Sequence, residues 1–223
     1  MSGVNEPTRW PLRRAKAAAT RLSIVEAASR LFVRDGYSAT SIEGVAHEAG
    51  VSRATVFNSV GGKAALLKAA YDIATVGDDE PIPLPQRAEA TAARLEPDAG
   101  RSIALYATMI ANIGERLAPI YEVFRSAAAS DTEIRALWDE IQAQRLGGAR
   151  GYVGLLRDKG PLLPGLDDDS AGDIVWVLID ASLYHRLVIE RGWKKTDFRT
   201  WLASTLETQL LSPPRPQPRS KHP

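Results

Sequence analysis

Apolar residues along this chain recur every three or four positions, and the stripes are cut at intervals by glycine, proline or a capping residue. Leu22, Val25, Ala28 or Ser29, and Phe32 form one stripe that ends at Asp35-Gly36-Tyr37. Ile42, Val45, Ala46 and Ala49 form a second, and Ala65, Leu66, Ala69, Ala70 and Ile73 form another after Gly61-Gly62. The stretch 77–85, GDDEPIPLP, interrupts the pattern and reads as a linker. Beyond it the spacing predicts helices over about 85–95, 98–128, 131–158, 169–190 and 196–211, divided by Glu96-Pro97, Ser130-Asp131, Pro161 to Pro164, and Gly192-Trp193. Alternating strand patterns are absent, so the predicted fold is all-α.

The region 40–63, TSIEGVAHEAGVSRATVFNSVGGK, is the most specific part of the pattern. Thr40 followed three residues later by Glu43 predicts a capping box and the start of a helix. Gly50 after the Ile42–Ala49 stripe suits a left-handed helix end, and Ser52 is a good N-cap for the next helix. Two short helices with a turn of three or four residues have the shape of a helix-turn-helix. Val56 and Val60, four apart, would pin the second helix inward beside Val51. That leaves Arg53, Ala54, Thr55, Phe57 and Asn58 outward. Arginine pairs bidentately with guanine, asparagine with adenine, and a threonine methyl meets a thymine methyl, each worth about 1–3 kcal/mol of discrimination. Lys63 opens the following helix, where the dipole disfavours a cation unless an anion is near. A DNA phosphate there would satisfy both the lysine and the exposed N–H groups.

Across about residues 18 to 78 the chain resembles the TetR family of transcriptional regulators, on the residues IVEAASRLFVRDGYSATSIEGVAHEAGVSRATVFNSVGGKAALL. Ala28, Phe32, Gly36, Tyr37, Thr40, Ile42, Ala46, Ala49, Gly50, Val51, Ser52, Thr55, Lys63 and Leu66 stand where that pattern wants them. The chain departs from it at Phe57, where the family usually has tyrosine, and at Asn58-Ser59-Val60, where an aromatic pair is usual. The resemblance implies an N-terminal three- or four-helix DNA-binding domain followed by a larger helical ligand-binding and dimerisation domain. The expected boundaries are a basic flexible arm at 1–17, the DNA-binding domain at 18–78 with its motif at 41–60, the helical domain at 79–211 and a Pro-rich disordered tail at 212–223. Thr40, Ser41 and Ser52 join Lys63 as expected DNA contacts.

Charge supports this division. Residues 1–75 carry 10 Lys/Arg against 6 Asp/Glu, net +4, while residues 76–223 carry 18 against 21, net −3. The basic part holds the motif, as phosphate neutralisation requires. The absence of cysteine excludes disulfides and thiolate chemistry. No export signal or 18-residue apolar run is present, so a cytoplasmic location without membrane contact is expected.

In the predicted helices after residue 168, Ala171, Val175, Leu178 and Ser182 share a face, as do Phe198, Trp201, Leu202, Thr205, Leu206 and Gln209. In TetR-like proteins the two C-terminal helices build a four-helix bundle between subunits, so the resemblance implies a homodimer; burial within the chain is the other reading of these stripes. Asp173, Trp176, Asp180, Leu183 and Leu187 mix carboxylates with apolar groups, which an ordinary core avoids. A small-molecule pocket lined also by Tyr106, Met109, Tyr121, Trp138, Arg145 and Tyr184 would account for them, as would a pairing of Asp180 with Arg145 or Arg150. Enzymatic patterns are missing: His47, His185 and His222 have no metal-binding spacing, Asp167-Asp168-Asp169 opens a helix, and Gly61-Gly62-Lys63 lacks the rest of a phosphate loop. No catalytic residue, metal or cofactor is expected. The function expected is a sequence-specific transcriptional regulator, a repressor released from a palindromic operator by a small-molecule effector. A non-specific DNA-architectural protein, or a helical small-molecule-binding protein with a vestigial motif, are the alternatives.

Overall fold

The computed structural model describes residues 9–212, with side chains described from Arg13 onward. Its helices are α1 (Arg9–Ala39), α2 (Ile42–Glu48), α3 (Arg53–Ser59), α4 (Lys63–Val76), α5 (Ala88–Leu95), α6 (Ala99–Ala127), α7 (Thr132–Arg157), α8 (Asp168–Leu178), α9 (Ala181–Tyr184) and α10 (Lys195–Leu210). Among the described residues only an isolated bridge, Leu162 to Leu211, has β character, and the fold is all-α. The stretch expected to be a flexible arm is helical from Arg9, because Ala15 and Ala17–Ala19 favour a helix even where no core covers it. Residues 1–8 and all of the proline-rich tail after Ser212 lie outside the described residues.

Two compact units are formed. One comprises residues 1–84 and 112–142, the other residues 85–111 and 143–223, so α6 and α7 each contribute a segment to both.

In the first unit α1 packs on α2, α3 and α4. Ile24, Ala27, Ala28, Leu31 and Phe32 are buried, and the helical φ/ψ breaks at Gly36, whose φ of 81° lies in the left-handed region. Thr40 seals this break. It is buried and donates its hydroxyl to the Gly36 carbonyl at 2.9 Å. The expected capping box is therefore corrected: Ser41 caps α2, its Oγ accepting from the Gly44 amide at 3.0 Å. A buried β-branched Thr40 cannot also turn its hydroxyl to the helix start, so the cap falls to the next residue. The α2–α3 turn is as the glycine suggests. Gly50 has φ 66°, its amide bonds His47 O, and the Val51 amide reaches Ala46 O at 2.9 Å, which together satisfy the last carbonyls of α2.

Helix α4 buries a wider face than its stripe implied, adding Ala64, Leu67 and Tyr71 to Leu66, Ala69 and Ala70. It is covered on a second side by the 112–142 segment, where Tyr71 meets Tyr121 and, edge to face at 5.8 Å, Phe124. Arg116 caps the helix end, its Nε donating to Ala74 O at 3.1 Å and an Nη to Thr75 O at 3.3 Å.

In the second unit Tyr106 and Tyr152 stack with centroids 3.7 Å apart, and α8 packs on α10. The helix expected over 169–190 is broken. α8 stops at Leu178; Asp180 then caps α9, accepting from the Ser182 amide at 2.9 Å, and the chain continues as a π turn over His185–Glu190. The Arg145 guanidinium on Asp180 at 2.9 Å holds that cap in place, and neither residue shows at the break in an apolar pattern.

Burial raises the pKa of both stacked tyrosines above the ordinary tyrosine value, with the neighbouring ring adding to the effect at Tyr106. The folded state thus keeps these protons to higher pH than the unfolded chain does. Stability from this pair is complete below about pH 10 and declines as pH rises above it. Denaturant titrations at pH 8 to 11.5 should show that decline, and Tyr106→Phe/Tyr152→Phe should make it shallower.

Candidate nucleic-acid interface

Helix α3 has only seven residues, too few to persist without tertiary support. Val56 supplies the anchor, fully buried under α1 and α2 in the same unit, with Val51 and Val60 half-buried at either end. Ser52 supplies the cap, its Oγ accepting from the Thr55 amide at 3.1 Å. This one-sided anchoring leaves Arg53, Ala54, Phe57 and Asn58 exposed on the other side, and Phe57 retains 46% of its accessible surface.

Thr55 is less free than the sequence suggested. Its hydroxyl lies 2.8 Å from Ser52 Oγ and is tied into the cap, and the residue is half-buried. Arg53 is pre-oriented. Its Nη1 lies 3.1 Å from a Glu43 carboxylate oxygen, and its guanidinium carbon sits 5.7 Å from the centre of the Phe57 ring. Glu43, expected to close the capping box, instead spans from α2 to α3. With both partners mainly exposed, the pair is worth at most about 1 kcal/mol and is easily exchanged for another acceptor. Glu43 is a site residue that local spacing did not reveal, because the pairing crosses the turn.

Lys63 is used within the chain. Its ammonium lies 4.4 Å from the centre of the Tyr37 ring and donates to the Ser38 carbonyl at 3.1 Å. Partial burial lowers its pKa, and Asp131 opposes that shift. The same carboxylate, with Glu133, adds to the burial that pushes Tyr37 up to about 12. The cation that seemed to require a DNA phosphate at the α4 N-terminus is therefore met by a carbonyl, a ring and a nearby acid. Thr40, being buried, presents no side chain for phosphate contact, whereas Ser41 and Ser52 are exposed at their helix starts.

The other expected groups divide similarly. Ala171, Val175, Phe198 and Leu202 are buried within the chain and correct the expected subunit face; Leu178, Ser182, Trp201 and Thr205 are half-buried and Gln209 is exposed. The open apolar residue on α8 is Val177, at 52% exposure. α8 packs on α10, so the stripe read as intersubunit is at least in part an intrasubunit one. Of the expected ligand residues, Tyr106, Met109, Arg145, Trp176, Asp180 and Tyr184 belong to the second unit, where Tyr106, Met109 and Tyr184 are buried. Trp138 belongs to the first, half-buried, with ring centres 4.9 Å from Tyr121 and 6.0 Å from Phe124. Asp173 is exposed and Asp180 is paired with Arg145, which removes the mismatch of charge that suggested a pocket. Arg145 also donates to Trp176 O at 3.1 Å and stands 5.7 Å from the Trp176 ring centre, while the buried Trp176 Nε1 has no hydrogen-bond partner. Among the described residues no group of three or more metal-ligating side chains is assembled and no helix is long and apolar enough to cross a membrane.

A capped, outward-facing second helix set on a small helical core defines a helix-turn-helix protein. Residues 24–70 match the family model for bacterial regulatory proteins of the tetR family, and this N-terminal part of the chain is similar to that family. Solved structures extend the similarity of fold to most of the chain. NalD, the secondary repressor of the MexAB-OprM multidrug efflux pump in Pseudomonas aeruginosa, is 21% identical with a TM-score of 0.65, covering 88% of this chain and 98% of that one. A protein from Syntrophomonas wolfei classed with TetR-family regulators is 15% identical with a TM-score of 0.69, covering 85% and 94%. One from Saccharomonospora viridis, described as a transcriptional regulator and solved in complex with choline, is 17% identical with a TM-score of 0.63, covering 87% and 99%. No curated protein matches the sequence.

Replacing the α3 cap tests its local role. Ser52→Ala should lower stability by about 1 kcal/mol in chemical denaturation. Ser52→Asp, which keeps an acceptor at the cap, should recover most of that loss.

Proposed function

We propose that this chain is a homodimeric, sequence-specific transcriptional regulator that reads operator DNA with α3, and that it is a repressor released by a small-molecule effector. The observation that carries the DNA reading is the outward set of Arg53, Ala54, Phe57 and Asn58 on a helix anchored by Val56. Arg53 and Asn58 supply donors for base edges, and Phe57 supplies an apolar surface for a thymine methyl or the sugar edge. Ser41 and Ser52, at exposed helix starts, suit phosphate contacts that fix register. The repressor and effector parts rest on likeness: NalD is a repressor, and the S. viridis protein was solved with choline. A dimer would set two α3 helices about one DNA turn apart on a palindromic site. Val177, with the half-buried Leu178 and Trp201, is the apolar surface offered for it.

In a release mechanism the effector acts only through a difference in affinity between two dimer geometries. The second unit's cluster of Tyr106, Arg145, Trp176 and Asp180 is the proposed place for that effector, its unpartnered indole N–H being the group a ligand acceptor would satisfy.

Arg53→Ala should cost about 1–3 kcal/mol on the preferred duplex while changing affinity for scrambled DNA far less. Competition anisotropy reads this, and equal losses on both duplexes would remove Arg53 from base reading. Val177→Asp should shift the protein to monomer in sedimentation velocity; an unchanged dimer would place the interface elsewhere.

A further inference from the structure

We infer that the exposed N-terminal turns of α1, carrying Arg13, Arg14 and Lys16, form a second DNA-contacting surface that grips backbone phosphates and supplies most of the salt-dependent affinity. This rests on the proposed DNA binding, and it concerns a different surface from α3.

The distinction comes from how the cations of the N-terminal region are used. Arg21 pairs with Asp79, Arg30 with Glu48, Arg34 with Asp35, Arg53 with Glu43, and Lys68 with Asp72. Lys63 donates to the Ser38 carbonyl. To meet a phosphate, each paired arginine must release a carboxylate that then repels the same phosphate, so the pair contributes little net neutralisation. Arg13, Arg14 and Lys16 are exposed and have no side-chain partner among the described residues. Each can neutralise a phosphate outright and release its condensed counterion.

The helix carrying them has no core of its own. Residues 13–19 are exposed and the first fully buried side chain of α1 is Ile24, so Arg13 lies about 16 Å along the axis from the packed part of the helix. From Arg9 to Val25 the sequence has no aspartate or glutamate. Arg13 and Lys16, three apart, share a helix face, and like charges at that spacing disfavour the helix. A polyanion laid along the helix relieves that repulsion. Ala15, between them, and Ala17 to Ala19 after them maintain the helix, and the polyanion that fits is DNA backbone, since α3 of the same unit is the proposed base reader. Because no base-reading geometry is required of such contacts, they act on all DNA sequences alike.

The test uses full-length protein with two duplexes, one recovered from a randomised library by the wild-type chain and one scrambled. Affinity is measured by anisotropy across a salt series. For Arg13→Gln/Arg14→Gln/Lys16→Gln, which removes three cations from each subunit of the proposed dimer, the slope of log affinity against log salt should become shallower by about 5.4 on both duplexes, at about 0.9 per phosphate. The ratio between duplexes should stay within about twofold. Arg13→Lys/Arg14→Lys, which keeps the charge, should retain the wild-type slope. A triple variant with unchanged helical circular dichroism and the wild-type slope would overturn the inference, as would loss confined to the selected duplex. If the wild-type protein itself shows no salt-dependent binding to either duplex, the DNA-binding function fails before the overhang is tested.

Discussion

The burial of Val56 is the contact on which the interface depends. A seven-residue helix cannot repay the entropy of its own nucleation, so α3 exists because one side of it is held in the core beneath α1 and α2. The Schellman turn at Gly50 and the cap at Ser52 then set where the helix starts, and that choice of start decides which side chains point away from the core. Shifting the frame by one residue would rotate every side chain of α3 by about 100° and turn Val56 away from the core. Stability and presentation of the reading surface are thus the same structural requirement.

Electrostatics adds a second layer. In the N-terminal region most cations are already engaged, and the engagement differs in kind. Arg53 is steered by Glu43 and Phe57 in an exposed, weak arrangement that leaves it available. Lys63, over Tyr37 and bound to Ser38, reinforces the joint between α1 and α4. The net +4 of residues 1–75 is therefore not spread evenly over the surface; it is concentrated in α1 ahead of the packed core.

The helices, the break at Gly36, the turn at Gly50 and the anchor at Val56 were legible in the sequence because each is set by neighbours within a few residues. The failures share the opposite property. Thr40 and Ser41 are both competent caps, and only the burial of Thr40 against the Gly36 carbonyl decides between them. Lys63 and Glu43 take partners 25 and 10 positions away, beyond any helical spacing. An amphipathic stripe reports that a face is buried but not by which chain, so Ala171, Val175, Phe198 and Leu202 could be read as a subunit face although their own chain covers them. The break between α8 and α9 escaped because Asp180, paired with Arg145, replaces the helix-breaking residue that a pattern would need.

The central claim is that α3 reads base sequence, and selection from a randomised duplex library by the wild-type protein tests it most directly. The account predicts enrichment of a palindrome whose half-sites lie about one helical turn apart, bound about a thousand-fold or more tightly than scrambled DNA at the same salt. Selection yielding no common sequence, with all duplexes bound equally, would contradict it.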